Sequence, residues 1–114
     1  MWLLKSFRNA WRGFVLAFRT QRNMKIHVGA AAVVLVAGFY FSFTVTEWCL
    51  VILAIGLVMG LEVINTSIEE LVNFVSPEKR NEAKRIKDLA AGAVLVAAIT
   101  AFAIGLIILF NRVF

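Results

Sequence analysis

The chain has 114 residues, of which 61% are hydrophobic and 17% are charged, and its formal net charge at pH 7 is +5. Few soluble domains are as apolar as its mean hydropathy of +0.86, and a single cysteine excludes an intramolecular disulfide. The length fits one domain, so we expect an all-α integral membrane protein with a single domain over residues 1–114.

The first predicted element is an amphipathic surface helix over about residues 2–22. Its apolar side chains recur at the 3–4 spacing of one helical face, and most of its Lys and Arg residues fall on the other side. The apolar residues are Leu3, Leu4, Phe7, Trp11, Phe14, Val15 and Phe18. Such a helix lies in the membrane interface, where it is either only an anchor or a cover over the lipid headgroups.

Three apolar segments follow, each long enough to cross a bilayer as a helix, which requires roughly 20 residues. They cover about residues 27–44, 48–75 and 89–110 and leave little chain for a water-soluble core. The first is too long for the apolar region of a secretory signal peptide, so we expect a retained span. His27, at its start, is predicted to be an interfacial residue rather than a ligand.

Basic residues are concentrated before the first span and between the second and third spans, whereas the link at residues 43–47 has none. By the positive-inside rule, the N-terminus and the second loop are cytoplasmic and the C-terminus is outside. Topology and contacts with anionic lipids account for most of these bases, so we expect no nucleic-acid partner.

The second span carries Glu62, Asn65 and Glu69 on one helical stripe, related as i, i+3 and i+7. Counted from Trp48 at about 1.5 Å per residue, Glu62 lies roughly 21 Å and Glu69 roughly 31 Å along the span. Inserting a charged residue at mid-membrane costs roughly 3 kcal/mol of free energy, so we expect these polar residues to have a specific structural or functional role. A proton relay, a structural hydrogen-bonded interface and a Mg²⁺ site shared with substrate phosphates remain open on spacing alone.

The segment SPEKRNEAKRIKDLAAGAV adds charge after the second span. Lys87 suits a phosphate as a point charge, and Asp88 is predicted to cap the helix of the third span. Without a Walker A or Gly-rich kinase loop, a nucleotide here would not be held by a P-loop. Gly56 and Gly60 form a G-x-x-x-G pair, which favours close helix packing and an oligomer of undefined number.

The segments LEVINTSIEELVN and AKRIKDLAAGAVLVA contain the pattern Glu-x-x-Asn-[Ser/Thr]-x-x-Glu, then Lys-Asp about eighteen positions later. This pattern resembles the signature of the bacterial integral-membrane diacylglycerol kinases, a family that includes the undecaprenol kinases. SFRNAWRGFVLAFRTQRNMKIH is similar to the family's N-terminal segment. The resemblance implies a homotrimer in the bacterial plasma membrane, with one surface helix and three spans per subunit.

The same resemblance implies transfer of the γ-phosphate of MgATP to a lipid hydroxyl, at cytoplasmic-side sites between neighbouring subunits. The segments RTQRN, INTSIEE and DLAAGAV look closer to the undecaprenol kinases than to the diacylglycerol kinases. Undecaprenol is therefore the favoured acceptor and diacylglycerol the next.

Site residues are assigned by the same resemblance. Glu62 resembles the general base, Asn65 belongs to the same catalytic cluster, and Glu69 matches a ligand of the metal on ATP. Gln21 stands where the family normally has a second metal-binding glutamate. The implied nucleotide contacts are Asn9, Glu78, Lys79, Arg80, Lys87 and Asp88, and the candidate lipid contacts are Trp11, Arg12 and Glu62.

Three positions depart from the family pattern. Gln21 replaces a glutamate, Asn73 replaces an aspartate, and Asn9 stands where an aromatic residue is common. A neutral amide is a weaker Mg²⁺ ligand than a carboxylate, so we expect weakened metal and ATP binding at Gln21. The alternative functions are a proton-relay or transport protein and a catalytically weakened membrane oligomer of the same fold.

Overall fold

Four α-helices make up the computed structural model, which describes residues 1–114. Helix α1 spans Trp2–Thr20, α2 spans Arg22–Tyr40, α3 spans Val45–Val75 and α4 spans Asn81–Val113. Helices α2, α3 and α4 are long and apolar enough to cross a membrane. The prediction of an all-α chain with three candidate spans after an N-terminal helix is confirmed, while its trimeric state and membrane topology stay predictions.

Helix α4 begins well before the apolar segment that predicted it. The charged segment from Asn81 contains no Gly or Pro, so nothing in it interrupts a helix. The predicted N-cap at Asp88 is therefore wrong, because Asp88 lies inside α4 and the N-cap is Arg80, which makes no side-chain capping bond. Asp88 Oδ2 instead accepts a hydrogen bond from Lys84 Nζ, one turn earlier, at 2.7 Å.

Gln21 is the single residue between α1 and α2. Its backbone is extended, with φ −113° and ψ 119°, and its N–H donates to Ala17 O at 3.0 Å. Helix α1 therefore ends slightly earlier than the predicted surface helix. Most of its apolar side chains, including Phe7 and Trp11, are exposed in the chain, whereas Ala17 is buried. An exposed apolar face is what an interfacial helix offers to lipid, and that placement remains a prediction.

The turn between α2 and α3 is held by a capping box at the start of α3. Thr44 N donates to Glu47 Oε1 at 2.9 Å, and Glu47 N donates to Thr44 Oγ1 at 3.2 Å. Arg112, near the end of α4, also pairs with Glu47, and its Nη1 donates to Phe41 O at 2.6 Å. The end of α4 is thus fixed to this turn, at the opposite end of α3 from Glu69.

Gly38 lies where α2 passes closest to the side chain of Trp48. A Cβ at Gly38 would lie 2.5 Å from the Trp48 indole, so only glycine fits there without a shift. Nothing in the chain comes within 4 Å of a Cβ at Gly56 or Gly60. The helices of one chain therefore do not pack at the G-x-x-x-G pair, and its predicted role in subunit association is untested.

Helices α3 and α4 form the largest interface between helices of the chain. Only 13 of the 114 residues are buried, so most apolar side chains face outward, as expected for helices surrounded by lipid or by other subunits. The buried residues of α3 follow one stripe, Val51, Ala54, Val58, Glu62, Asn65, Thr66 and Val72. The predicted polar residues thus continue the face of α3 that contacts the other helices.

Candidate functional site

The three polar residues predicted on α3 become more exposed along the helix. Glu62 is 0% exposed and Asn65 is 4% exposed, whereas Glu69 is half-buried. This order follows from their spacing, because each successive residue of the stripe lies nearer the end of α3 and the charged loop. The cluster therefore extends from the helix packing of α3 toward the loop that connects it to α4.

Glu69 accepts hydrogen bonds from two side-chain amides. Asn65 Nδ2 donates to Glu69 Oε1 at 3.3 Å, and Gln21 Nε2 donates to Glu69 Oε2 at 3.5 Å. The break between α1 and α2 thus brings Gln21 to the polar face of α3. The two residues predicted to hold a metal ion lie together, although the predicted metal itself is not tested by this contact.

Glu62 has no hydrogen-bond partner for either carboxylate oxygen. The nearest charged or ionisable group is His27 on α2, whose Nε2 lies 3.7 Å from Glu62 Oε2. The Thr66 hydroxyl does not bind the Glu62 carboxylate, because its Oγ1 donates to the main-chain oxygen of Glu62 at 2.9 Å. Buried polar groups normally have partners, so this buried carboxylate calls for a partner outside the chain, such as water, an ion or a substrate group.

Lys87 joins the start of α4 to the end of α3. Its Nζ donates to Asn73 Oδ1 at 2.5 Å. Because Asn73 is neutral, this bond leaves the positive charge of Lys87 without an acidic partner. The predicted nucleotide contact Lys87 is thus at the same end of α3 as Glu69, while Asp88 is engaged by Lys84.

Other predicted site residues do not reach the polar face of α3 within one chain. No hydrogen bond or ion pair joins Asn9, Trp11 or Arg12 of α1 to it. The loop residues Glu78, Lys79 and Arg80 are exposed. Arg80 lines an open groove of about 570 Å³ between the end of α3 and the start of α4, and that groove contains none of Glu62, Asn65 and Glu69.

The oxygen atoms near Glu69 suit a hard cation. No three His, Cys, Asp or Glu side chains are close enough to hold a metal ion by themselves. Asn65 Oδ1 is buried without a partner, one helical turn from the Glu69 carboxylate. Mg²⁺ prefers oxygen ligands and is commonly held by one or two carboxylates together with substrate phosphates and water. The residues present therefore fit Mg²⁺ bound jointly with the phosphates of a ligand.

The contact between His27 and Glu62 has no counterpart in the sequence analysis. A lone histidine at the start of an apolar segment gives no periodic signal, and its partner lies on another helix. The only sequence clue is that His27 begins a predicted span instead of remaining in the basic segment before it.

The chain resembles known proteins over nearly its whole length. The family model of prokaryotic diacylglycerol kinase matches residues 8–109. An undecaprenol kinase of Bacillus subtilis is 42% identical over 91% of this chain and 85% of its own length. A diacylglycerol kinase of Synechocystis is also 42% identical, over 90% of this chain but only 59% of its own length. A diacylglycerol kinase of Escherichia coli is 26% identical over 96% of this chain and 90% of its own length.

Proposed function

Because the chain belongs to the prokaryotic diacylglycerol kinase family and is therefore a lipid kinase that uses ATP, we propose that it transfers the γ-phosphate of MgATP to undecaprenol. Diacylglycerol is the second candidate acceptor. The single observation that carries the site assignment is the cluster on α3, in which a fully buried carboxylate without a hydrogen-bond partner continues into a half-buried one.

In the proposed reaction, Glu62 is the general base. One carboxylate oxygen accepts the proton of the lipid hydroxyl while that hydroxyl oxygen forms a bond to the γ-phosphorus. The bond between the γ-phosphorus and the β,γ-bridging oxygen breaks, and ADP leaves with the bridging oxygen. For phosphoryl transfer, a protein mainly has to position the hydroxyl in line with the breaking bond and compensate the charge of the phosphates. Side chains at the end of a membrane helix can do both.

Glu69, Gln21 and Asn65 would hold Mg²⁺ together with the ATP phosphates. The metal would supply positive charge to offset the negative charge of the triphosphate. Gln21 now donates its amide N–H to Glu69, so a rotation of that amide would be needed to offer its oxygen to a cation. Lys87 and Asp88 are the proposed nucleotide contacts on α4, and the Lys87 ammonium has only the neutral Asn73 oxygen as partner.

The proposal includes a homotrimer in the bacterial plasma membrane, with the reaction on the cytoplasmic side. Trp11, Arg12 and Asn9 make no polar contact with Glu62 or Glu69 of their own chain, and a neighbouring subunit could bring its own copies of them to the site. The basic residues of α1 and of the loop before α4 support a cytoplasmic position for both.

The preference for undecaprenol over diacylglycerol is supported by short sequence segments and not by overall similarity. The undecaprenol kinase of Bacillus subtilis and the diacylglycerol kinase of Synechocystis are equally identical to this chain, at 42%. The segments RTQRN, INTSIEE and DLAAGAV look closer to those of the undecaprenol kinases.

The test is transfer of label from γ-labelled ATP in mixed micelles containing Mg²⁺ and either undecaprenol or diacylglycerol. We expect labelled lipid with both acceptors and a higher kcat/KM with undecaprenol. A higher kcat/KM with diacylglycerol would reverse the acceptor assignment. No labelled lipid from folded protein with either alcohol would indicate a catalytically weakened member of the family.

A further inference from the structure

His27 and Glu62 form an isolated pair between α2 and α3. Their side chains are 17% and 0% exposed, and His27 Nε2 lies 3.7 Å from Glu62 Oε2. The distance is longer than a hydrogen bond but within the range of an ion pair. Catalytic hydrogen bonds are often long before substrate binds and shorten in the reacting complex.

Neither member of the pair has another partner. His27 Nε2 and both carboxylate oxygens of Glu62 lack hydrogen bonds. An ionised carboxylate that is removed from water without a donor is strongly disfavoured, so a base at this position needs a group that stabilises its charge.

The other polar side chains of the site donate hydrogen bonds to acceptors other than the Glu62 carboxylate. The Asn65 and Gln21 amides both donate to Glu69, and the Thr66 hydroxyl donates to the Glu62 main-chain oxygen. Lys87 donates to Asn73. His27 Nε2, unpaired and 3.7 Å from Glu62 Oε2, is therefore the side-chain nitrogen placed to donate to the Glu62 carboxylate.

We propose that His27 is a positioning residue for the lipid kinase reaction, in which its Nε2–H donates to one oxygen of the Glu62 carboxylate and orients it. This inference rests on the proposed role of Glu62 as the base. The other carboxylate oxygen then accepts the proton of the lipid hydroxyl, while His27 keeps its own proton throughout. A histidine nitrogen is fixed as donor or acceptor by its partner, so Glu62 sets the tautomer with the proton on Nε2.

A nitrogen NMR spectrum of the imidazole tests the pair without using the reaction. His27 is the only histidine, so each imidazole signal belongs to it. We expect Nε2 to be protonated in the wild-type protein and its signal to shift in Glu62→Gln. The matched control is Glu70→Gln, which removes an exposed carboxylate from the same helix and should leave the signal in place. An unprotonated Nε2, or signals unaffected by Glu62→Gln, would overturn the pairing.

Kinetics test the role of the pair in the reaction. In His27→Ala we expect kcat to fall about 10- to 100-fold, because the base loses its orienting donor, while KM for MgATP changes by less than about twofold. His27→Gln keeps a side-chain N–H donor and should recover part of the lost kcat. Added to Glu62→Gln, His27→Ala should cause little further loss, because the two residues act as one unit.

The outcomes separate this inference from the proposed function. A full wild-type kcat in folded His27→Ala would overturn the positioning role even if Glu62→Gln is inactive. An equal loss in His27→Ala and His27→Gln, with KM raised in parallel, would also overturn it and would indicate only a packing role. Wild-type protein that transfers no phosphate to either lipid would overturn the proposed function, whatever the imidazole spectrum.

Discussion

Gln21 and Glu69 lie side by side although 48 positions of sequence separate them, with Gln21 Nε2 donating to Glu69 Oε2 at 3.5 Å. The contact exists because α1 ends just before Gln21, whose extended backbone places it beside α3. One member of the pair is a carboxyl group and the other is a neutral amide. The pair is therefore held by an amide-to-carboxylate hydrogen bond, whereas two ionised carboxylates at this distance would repel each other.

The charge of this pair can be tested with Gln21→Glu. Two adjacent carboxylates repel each other unless a cation lies between them, so we expect a lower melting temperature without Mg²⁺ and recovery when Mg²⁺ is added. The Mg²⁺ concentration for half-maximal transfer should fall about tenfold, because affinity rises with the charge of the ligands. If neither Mg²⁺ dependence nor turnover changes, glutamine is an adequate substitute at this position.

Lys87 is expected to contribute to nucleotide binding. In Lys87→Met the charged donor is lost, and KM for MgATP should rise roughly tenfold or more while the chain still folds. The control is Arg85→Met, which removes one positive charge from an exposed position on the same helix where no hydrogen bond is made. Equal effects of the two variants would show that only the overall charge matters.

Gly38 is predicted to be essential for packing α2 against α3. In Gly38→Ala the new Cβ would lie 2.5 Å from the Trp48 indole, so we expect a loss of about 1–3 kcal/mol of stability from overpacking. Gly29→Ala is the control on the same helix, because no atom lies within 4 Å of its added Cβ. Thermal unfolding in detergent measures both, and equal midpoints would contradict the close approach at Gly38.

The contact of Arg112 with Glu47 and Phe41 is expected to matter for stability and not for the reaction. Because these residues lie at the opposite end of α3 from Glu69, Arg112→Gln should lower the melting temperature while kcat changes by less than about twofold. Arg112→Lys keeps the charge but not the planar array of donors, so its melting temperature should be intermediate. A large fall in kcat at a temperature where the protein is folded would contradict this separation.

Features that repeat along the chain could be predicted from the sequence. Long apolar segments predicted α2, α3 and α4, and the i, i+3, i+7 spacing correctly put Glu62, Asn65 and Glu69 on one face. The helical segment from Asn81 to Asp88 was not predicted. Hydropathy identifies only the apolar part of α4, whereas a helix continues through charged residues until a residue interrupts it. The extra turns at the start of α4 are charged and well suited to helix.

Contacts between residues on different helices could not be predicted from the sequence pattern. Glu47 and Arg112 are separated by 65 positions, so no periodic spacing in the sequence relates them. His27 is the only polar residue of α2 that contacts Glu62, so it belongs to no repeating pattern that would indicate this contact. The proximity of Gln21 to Glu69 was expected only from resemblance to the family. Spacing also left a proton relay and a structural interface open, and family membership decided in favour of a lipid kinase.

The most direct test of the account is Glu62→Gln, compared with Glu70→Gln, in two measurements on the same purified protein. The account predicts that Glu62→Gln binds MgATP with wild-type affinity but transfers at least about 100-fold less label to undecaprenol, because the proton acceptor is gone. Glu70→Gln should retain both properties. Transfer near the wild-type rate in Glu62→Gln would contradict the claim that this buried carboxylate is the base.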